Sequence, residues 1–350
     1  MSSHAVKYAV CVLFACAAAA VALAVSLLML AGPGAQPARA QAAPEATLVG
    51  AGDIASCNYN RDYDTAQVVE STITSASAPV TVFTLGDNAY PDGNTNQYKN
   101  CYDPTWGGSH LGARSDIALK ILDPNMWVLT RPVVGNHEYQ TQGASAYFNY
   151  FGATKTGNPG EGYYSYDPAP GWHIVVLNSN CSQVGGCGPS SPQGKWLTAD
   201  LKAHANASCT AAAFHHPLFT SSTADTNVVK PFWTTLYNYG ADVILSGHAH
   251  YYERFAPQRP DGTADSSYGM REFVVGTGGA SPDNPMRTPR AKNSEKDSEK
   301  PGAPGTTYYG VLKLDLFSGG YTWEFRPRAA DAAFTDSGNG QCHGTPRPGA

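Results

Sequence analysis

Residues 80–90 read Val-Thr-Val-Phe-Thr-Leu-Gly-Asp-Asn-Ala-Tyr. Val80–Asp87 is a short apolar, β-branched run closed by a Gly-Asp turn, which predicts a buried strand. A carboxylate and, three residues later, a phenol arrive at its carboxyl end. The same grammar recurs along the chain. Thr47–Asp53 predicts a strand leading into Gly52-Asp53-Ile54-Ala55, and Trp127–Val134 one leading into Gly135-Asn136-His137-Glu138. Later strands reach Phe214-His215-His216-Pro217 and Gly247-His248-Ala249-His250.

Helical patterns lie between these strands: Asp64–Ser75, Ala144–Phe151, a helix opened by Pro192 that runs to about His204, and Val228–Tyr239. Tyr163–Tyr166 and Trp172–Asn178 read as paired strands about the turn at Pro168–Gly171. Beyond residue 250 the alternation stops. Tyr251–Phe255, Glu272–Val275, Tyr308–Leu316 and Tyr321–Phe325 follow one another as strands with no long helix between them. Alternation followed by strands in sequence predicts two packed sheets flanked by helices. Residues 281–305 mix Pro, Gly and both charge signs, with Met286 the one large apolar side chain. They read as a solvated, mobile loop, with a lid over the site as the alternative.

The 350 residues suffice for one large domain or two modest ones. A net charge of −5 without any Lys/Arg cluster argues against nucleic acid as an obligate partner. Residues 1–40 are a different material: Lys7, an apolar run from Ala9 to Ala31, then Gly32-Pro33-Gly34 and the small-residue pattern Ala38-Arg39-Ala40. This is the grammar of a secretory signal cleaved after Ala40, and it predicts a secreted or extracytoplasmic protein. If retained, residues 9–31 are long enough to anchor the chain in a membrane. Six cysteines remain beyond that segment, an even number that in an exported chain suggests disulfides. Cys181 and Cys187 flank a short Gly-containing loop and are the first choice for a local bridge. Cys57–Cys101 and Cys209–Cys342 are favoured among the other pairings, and no C-x-x-C pair offers zinc thiolates.

The five runs together supply Asp53, Asp87, Tyr90, Asn136, His137, His215, His216, His248 and His250. That oxygen- and imidazole-rich inventory suits hard or borderline metal ions. In sheets whose strands feed forward into helices, functional loops gather at the carboxyl edge, so all five can point into one cleft. Glycine precedes the ligand in four of them (Gly52, Gly86, Gly135, Gly247), where the backbone must turn tightly.

These runs resemble the calcineurin-type metallophosphoesterases and, in detail, their purple acid phosphatase branch. That branch carries G-D-x-x-Y, matched by Gly86 to Tyr90, and G-H-x-H-x-Y-E-R, matched by Gly247 to Arg254. The resemblance covers about residues 47–326. It implies an α/β fold, a four-layer α/β/β/α sandwich of two mixed sheets flanked by helices. The organisation is then a signal at 1–40, a linker at 41–46, a catalytic domain at 47–328 and a tail at 329–350. It also implies two metal ions, Fe(III) held by Asp53, Asp87, Tyr90 and His250, and a divalent Zn, Fe or Mn held by Asp87, Asn136, His215 and His248. Many metallophosphoesterases have a histidine two residues after the first Asp, where this chain has Ala55. Tyr90 then completes the first site, and a phenol with a pKa near 10 in water binds as phenolate only to a strongly polarising ion.

Such a pair lowers the pKa of a coordinated water and clamps phosphate oxygens. The implied activity is acid phosphatase-type hydrolysis of small phosphate monoesters. A phosphodiesterase or nucleotide hydrolase on the same site is the near alternative, and a non-catalytic metal- or phosphate-binding surface protein the distant one. His137 and, behind it, His216 are the candidates to contact phosphate and protonate the leaving oxygen. Each run alone is weak, since Gly-Asp pairs are common in turns; order and strand context carry the reading. Glu253 and Arg254 read as braces of the last motif. His110, His173, His204 and His343 read as surface or hydrogen-bonded histidines.

Overall fold

The computed structural model describes residues 43–107, 129–224, 226–282 and 285–343. The expected signal at 1–40, the alternative anchor at 9–31 and His110 lie outside the described residues. Among the described residues, no helix is long and apolar enough to cross a membrane.

Ala46–Ala51 (β1) lies parallel to Val80–Thr84 (β3), with Thr47 opposite Val80 and Ala51 opposite Thr84. Beyond the strand ends the two chains stay zipped, through Asp53 N–H to Gly86 O and Ile54 N–H to Asp87 O, both 3.0 Å. They then form a two-residue parallel pair between Ala55–Ser56 (β2) and Ala89–Tyr90 (β4). Thr130–Arg131 (β5) adds to the free side of β3. Gly310–Phe317 (β13), Gly320–Pro327 (β14) and Asp336–Gln341 (β15) extend the sheet antiparallel beyond β1, in the order β15-β14-β13-β1-β3-β5.

Tyr164–Tyr166 (β6), Trp172–Val176 (β7), Cys209–Ala213 (β8), Val243–Ser246 (β9), Tyr252–Phe255 (β10), Arg271–Val275 (β11) and Ser294–Asp297 (β12) build the second sheet. Its order is β12-β10-β11-β9-β8-β7-β6, parallel through the middle and closed by antiparallel pairs at both ends. The strand period of two divides its side chains between two cores. Ile174, Val176, Ala211, Ala213, Val243 and Leu245 pack with Leu48, Val82, Leu312 and Leu314 of the first sheet. Their alternates Val175, Ala212 and Ile244 pack with Leu197, Leu201, Phe232, Trp233 and Leu236.

Helix α1 (Arg61–Ser75) packs against β1, β13 and β14; α2 is Ser145–Phe151. Leu197 and Leu201 belong to α3 (Pro192–Ala203), started by a Ser191 cap and a proline at its first position. Phe232, Trp233 and Leu236 belong to α4 (Lys230–Asn238). The result is the expected four-layer α/β/β/α sandwich of two mixed sheets, in which each fully buried Leu, Val or Phe contributes roughly 1.5–3 kcal/mol.

Four elements differ from the sequence expectation. The strand expected over Trp127–Val134 is confined, within the described residues, to β5, because Pro132 has no N–H for the ladder. A helical segment over 95–107, opened by a reciprocal Asn94/Gln97 cap and widening to π-type turns from Tyr98, was not anticipated. Residues 281–305 are not a bare loop. β12 pairs there with β10, Met286 is buried, and Arg290 binds Asp297 and Glu299. Finally, part of the expected tail is strand β15. Its polar sequence carries no strand signal, but Gly338 and Gly340 let it lie flat on the Trp323 and Tyr321 rings, where a Cβ would come within 2.4 Å of either.

All three favoured disulfides are formed: Cys57–Cys101, Cys181–Cys187 and Cys209–Cys342. The last ties the end of β15 in the first sheet to β8 in the second. Its cysteines are 133 residues apart, so Cys342→Ser should lower the unfolding free energy by roughly 3–5 kcal/mol. Urea denaturation under oxidising conditions measures it. A loss below about 1 kcal/mol would mean that β15 is held by its ladder alone.

Candidate metal centre

The five runs follow β1, β3, β5, β8 and β9, and their backbones interlock where the carboxyl edges of both sheets meet. Gly52 N–H donates to Val275 O at 2.8 Å, Gly247 N–H to His215 O at 2.9 Å and His248 N–H to Asp53 Oδ2 at 2.8 Å. Two approaches leave no room for a side chain at the turn. A Cβ on Gly86 would lie 2.5 Å from His215 Nδ1, and one on Gly135 2.2 Å from Asp87 Oδ1. Asp53, Asp87 and His248 occupy the left-handed region at φ +59°, +50° and +66°. For residues with a Cβ this costs on the order of 1–3 kcal/mol each, and the interlocking bonds hold it in place.

Tyr90 sits at the junction. Its Oη is 2.9 Å from Asp53 Oδ1, 3.1 Å from Asp87 Oδ2 and 3.1 Å from His250 Nε2. On the other side of Asp87, His215 Nε2 lies 3.3 Å from Asp87 Oδ2 and 2.9 Å from Asn136 Oδ1. The His248 ring packs 4.9 Å from that of His215. Asp87 therefore stands between one group of Asp53, Tyr90 and His250 and another of Asn136, His215 and His248. One histidine in each group is oriented from behind. His215 Nδ1 donates to Leu85 O at 2.7 Å and His250 Nδ1 to Ser281 O, which leaves Nε2 of each turned to the centre.

Electrostatics decide what this arrangement tolerates. Asp53 and Asp87 are buried, and among the described residues their ion-pair partners are the histidines 137, 215 and 250 rather than Lys or Arg. Burial alone would raise Asp87, but the charges of His215 and His137 outweigh it and hold the carboxyl well below its ordinary range. Burial likewise opposes a charge on His215, and Asp87 overcomes it, raising that imidazole to about 9. Burial, then the anions Asp53 and Asp87, push the Tyr90 phenol well above its usual range. Two buried carboxylates, an amide oxygen and imidazoles whose Nε2 atoms face the centre form a donor set that calls for positive charge. The residues fit a metal pair.

A family model for calcineurin-like phosphoesterases matches residues 47–252, more than half of the chain and all five runs. The chain belongs to that family. The chain is similar to "Purple acid phosphatase 15" of Arabidopsis thaliana, at 28% identity over 210 residues, 56% of this chain and 36% of that one. It is also similar to an acid phosphatase of Aspergillus ficuum, at 30% identity over 115 residues, 30% of this chain and 19% of the relative. It thus aligns with about a third or less of the length of these curated relatives. Among solved structures, purple acid phosphatase PPD1 from yellow lupin (Lupinus luteus) seeds gives a TM-score of 0.62 at 16% identity, covering 87% of this chain and 55% of that one. GAP50, described as the anchor in the inner membrane complex of Plasmodium, gives 0.55 at 12% identity over 84% and 88%. Likenesses at such identity show the fold alone.

Beside the centre of the phosphoesterase lie the two expected substrate histidines. His137 is a third exposed; its Nδ1 bonds Pro91 O and its Nε2 is 3.8 Å from Asp87 Oδ2. His216 packs 4.4 Å from the His248 ring. The His216 backbone N–H donates to Ser179 Oγ at 3.1 Å, and the same oxygen lies 2.8 Å from His216 Nδ1. Burial, then His215 and His248, pull the His216 pKa down to about 2, so the ring is a neutral donor.

Sequence reasoning missed Ser179 and, more consequentially, Glu138. The buried Glu138 carboxylate accepts N–H bonds from Asp87 (3.0 Å), Asn88 (2.8 Å) and Gly135 (2.7 Å), and the Tyr98 hydroxyl at 3.1 Å. It clamps the second run to the third. An acid three residues after Gly135 was the available signal, but nothing local says that it faces inward. Glu138→Gln turns an amide NH2 toward N–H donors. The variant should bind metal 10–100-fold more weakly, on the scale of losses for residues that orient ligands. Metal-buffer titration measures this, and unchanged affinity would reduce Glu138 to a packing residue.

Proposed function

We propose that this phosphoesterase hydrolyses small phosphate monoesters in the manner of an acid phosphatase. The proposed centre holds Fe(III) through Asp53, Asp87, Tyr90 and His250, and a divalent Zn, Fe or Mn through Asp87, Asn136, His215 and His248. One observation carries the reading: the Tyr90 hydroxyl lies within 3.1 Å of donors from three separate runs. Ala55 is buried in β2 beside it and brings no competing ligand. The phenol's raised pKa means that it gives up its proton only to a strongly polarising ion.

When bound, two such ions polarise the phosphoryl group and make water a nucleophile near neutral pH. The chain's own groups do the rest. Asp87, accepting the His137 backbone N–H at 2.8 Å, is fixed between the two ligand sets. His216 offers a neutral Nε2–H to a phosphoryl oxygen, in an orientation set by Ser179. His137, more exposed and with Nδ1 tied to Pro91, turns Nε2 to the leaving oxygen and returns a proton to it. Three disulfides favour an oxidising, extracytoplasmic compartment, in keeping with the leader read at 1–40.

Metal analysis with a visible spectrum of the purified protein tests the Fe(III)–phenolate assignment. A charge-transfer band is expected, lost in Tyr90→Phe; a colourless, fully active enzyme with divalent ions only would refute Fe(III) and leave the hydrolase standing. Asp87→Ala removes a ligand from both proposed ions and should cut kcat by at least about 1,000-fold. p-Nitrophenyl phosphate is the assay substrate, with bis(p-nitrophenyl) phosphate as the diester comparison. Faster turnover of the diester would favour the phosphodiesterase reading.

A further inference from the structure

At the end of β7 opposite the one that leads to Ser179 and His216, a second set of ligand-type groups is organised. His173, the second residue of β7, is buried, with Asp167 Oδ1 2.7 Å from Nδ1 and Asp200 Oδ2 2.7 Å from Nε2. Asp200 is itself held by Ser165 Oγ at 2.8 Å. His204, just past the end of α3, donates Nδ1–H to the Asp200 carbonyl at 2.8 Å. Asp167, His173 and His204 each bring a ligand atom within 4.8 Å of the others. They line a surface cavity of about 510 Å³ formed with the turn at residues 168–171.

The geometry points to a metal site separate from the catalytic centre, in which His173 Nδ1, His204 Nε2 and the Asp167 carboxylate hold one borderline divalent cation of the Zn(II), Ni(II) or Cu(II) class. The surroundings of the two imidazoles carry the inference. A ligating histidine characteristically gives its other nitrogen to a carboxylate or a backbone carbonyl, which fixes the tautomer and aims the lone pair. His173 gives Nε2 to a carboxylate that is in turn hydrogen-bonded, and His204 gives Nδ1 to a carbonyl. Both signatures stand around one point. Two imidazoles and a carboxylate, with no thiolate, select borderline ions over Mg(II) or Ca(II). Two aspartates beside His173 also give the site the negative charge that a divalent ion neutralises.

Burial alone would lower the His173 pKa, but its bonds to Asp200 and Asp167 raise it, so proton and cation compete and metal affinity falls as pH falls. The rings of His173 and His204 stack 3.8 Å apart at 13°. For both to reach one ion the stack must open. His204, with a side chain 36% exposed, can pivot on its Nδ1 bond to the Asp200 carbonyl, and Asp167, at 59%, can follow. Bound metal would fasten the 168–171 turn to β7 and α3, and stabilise the fold by mass action.

The test titrates Zn(II) into the metal-loaded, full-length protein against a chromogenic chelator at pH 7.5, beside His204→Ala and Asp167→Ala. These surface substitutions spare the buried His173. The parent should bind one more equivalent than either variant, with at least a tenfold difference in affinity for it, and its Tm should rise with Zn(II) while theirs does not. All three should hydrolyse p-nitrophenyl phosphate alike. The readout is a difference between parent and variant, so it stands whether or not the catalytic centre holds two ions. Equal stoichiometry in all three proteins overturns the site. So does a Co(II) titration whose d–d spectrum is the same in parent and His204→Ala.

Discussion

Two carboxylates buried side by side are the constraint on which this structure turns. Asp53 and Asp87 share one phenol, whose oxygen lies 2.9 Å from the first and 3.1 Å from the second. Unpaired charge in such a place costs several kcal/mol per ion. The chain meets that cost by bringing imidazoles and backbone N–H groups from every strand end that reaches the site. The parallel pairing of β1 with β3, continued past the strand ends into β2 and β4, delivers both acids to the same depth. The left-handed turns at Asp53, Asp87 and His248 aim them. These strained turns persist because each carboxylate also accepts a backbone N–H, Asp53 from His248 and Asp87 from His137.

The fold around this centre divides labour by layer. The second sheet sends alternate side chains to two different cores, so its strands are fixed in register, and a slip of one residue would exchange the two faces. That rigidity reaches the site through β8 and β9, which lead to His215 and His248 just beyond their ends. The loops beyond them are braced by buried acids. Glu253, expected to brace the last motif, accepts from Thr220, Ser221 and Ser294 and so ties the segment after His216 to β12. Arg254 pairs with Asp336 in β15, so the last motif is fastened to the end of the chain.

Much of this was legible in the sequence because it is written locally. A β-branched run, a glycine and a ligand announce a strand end wherever they occur, and five such runs in order define both sheets' working edge. Ala55 and Tyr90 could be read against each other, since one lacks the ligand atom that the other is proposed to supply. The rest depends on partners far away in sequence. Glu138 looks like any acid in a turn until its carboxylate is seen beneath the amides of Asp87 and Asn88. Ser179 matters only because His216 lies beside it. β15 reads as a polar tail, since its stability comes from two aromatic rings and a distant cysteine. The 281–305 segment has the composition of a loop, yet Arg290 closes it onto its own acids.

The bridge between Cys209 and Cys342 closes a loop that contains His215, His248 and His250 but leaves Asp53, Asp87, Tyr90 and Asn136 outside. The proposed centre is therefore shared between a covalently closed segment and an open one. A single backbone break anywhere between those cysteines leaves both pieces in one molecule until a reductant arrives. Such a nicked chain keeps its imidazoles tethered to its carboxylates.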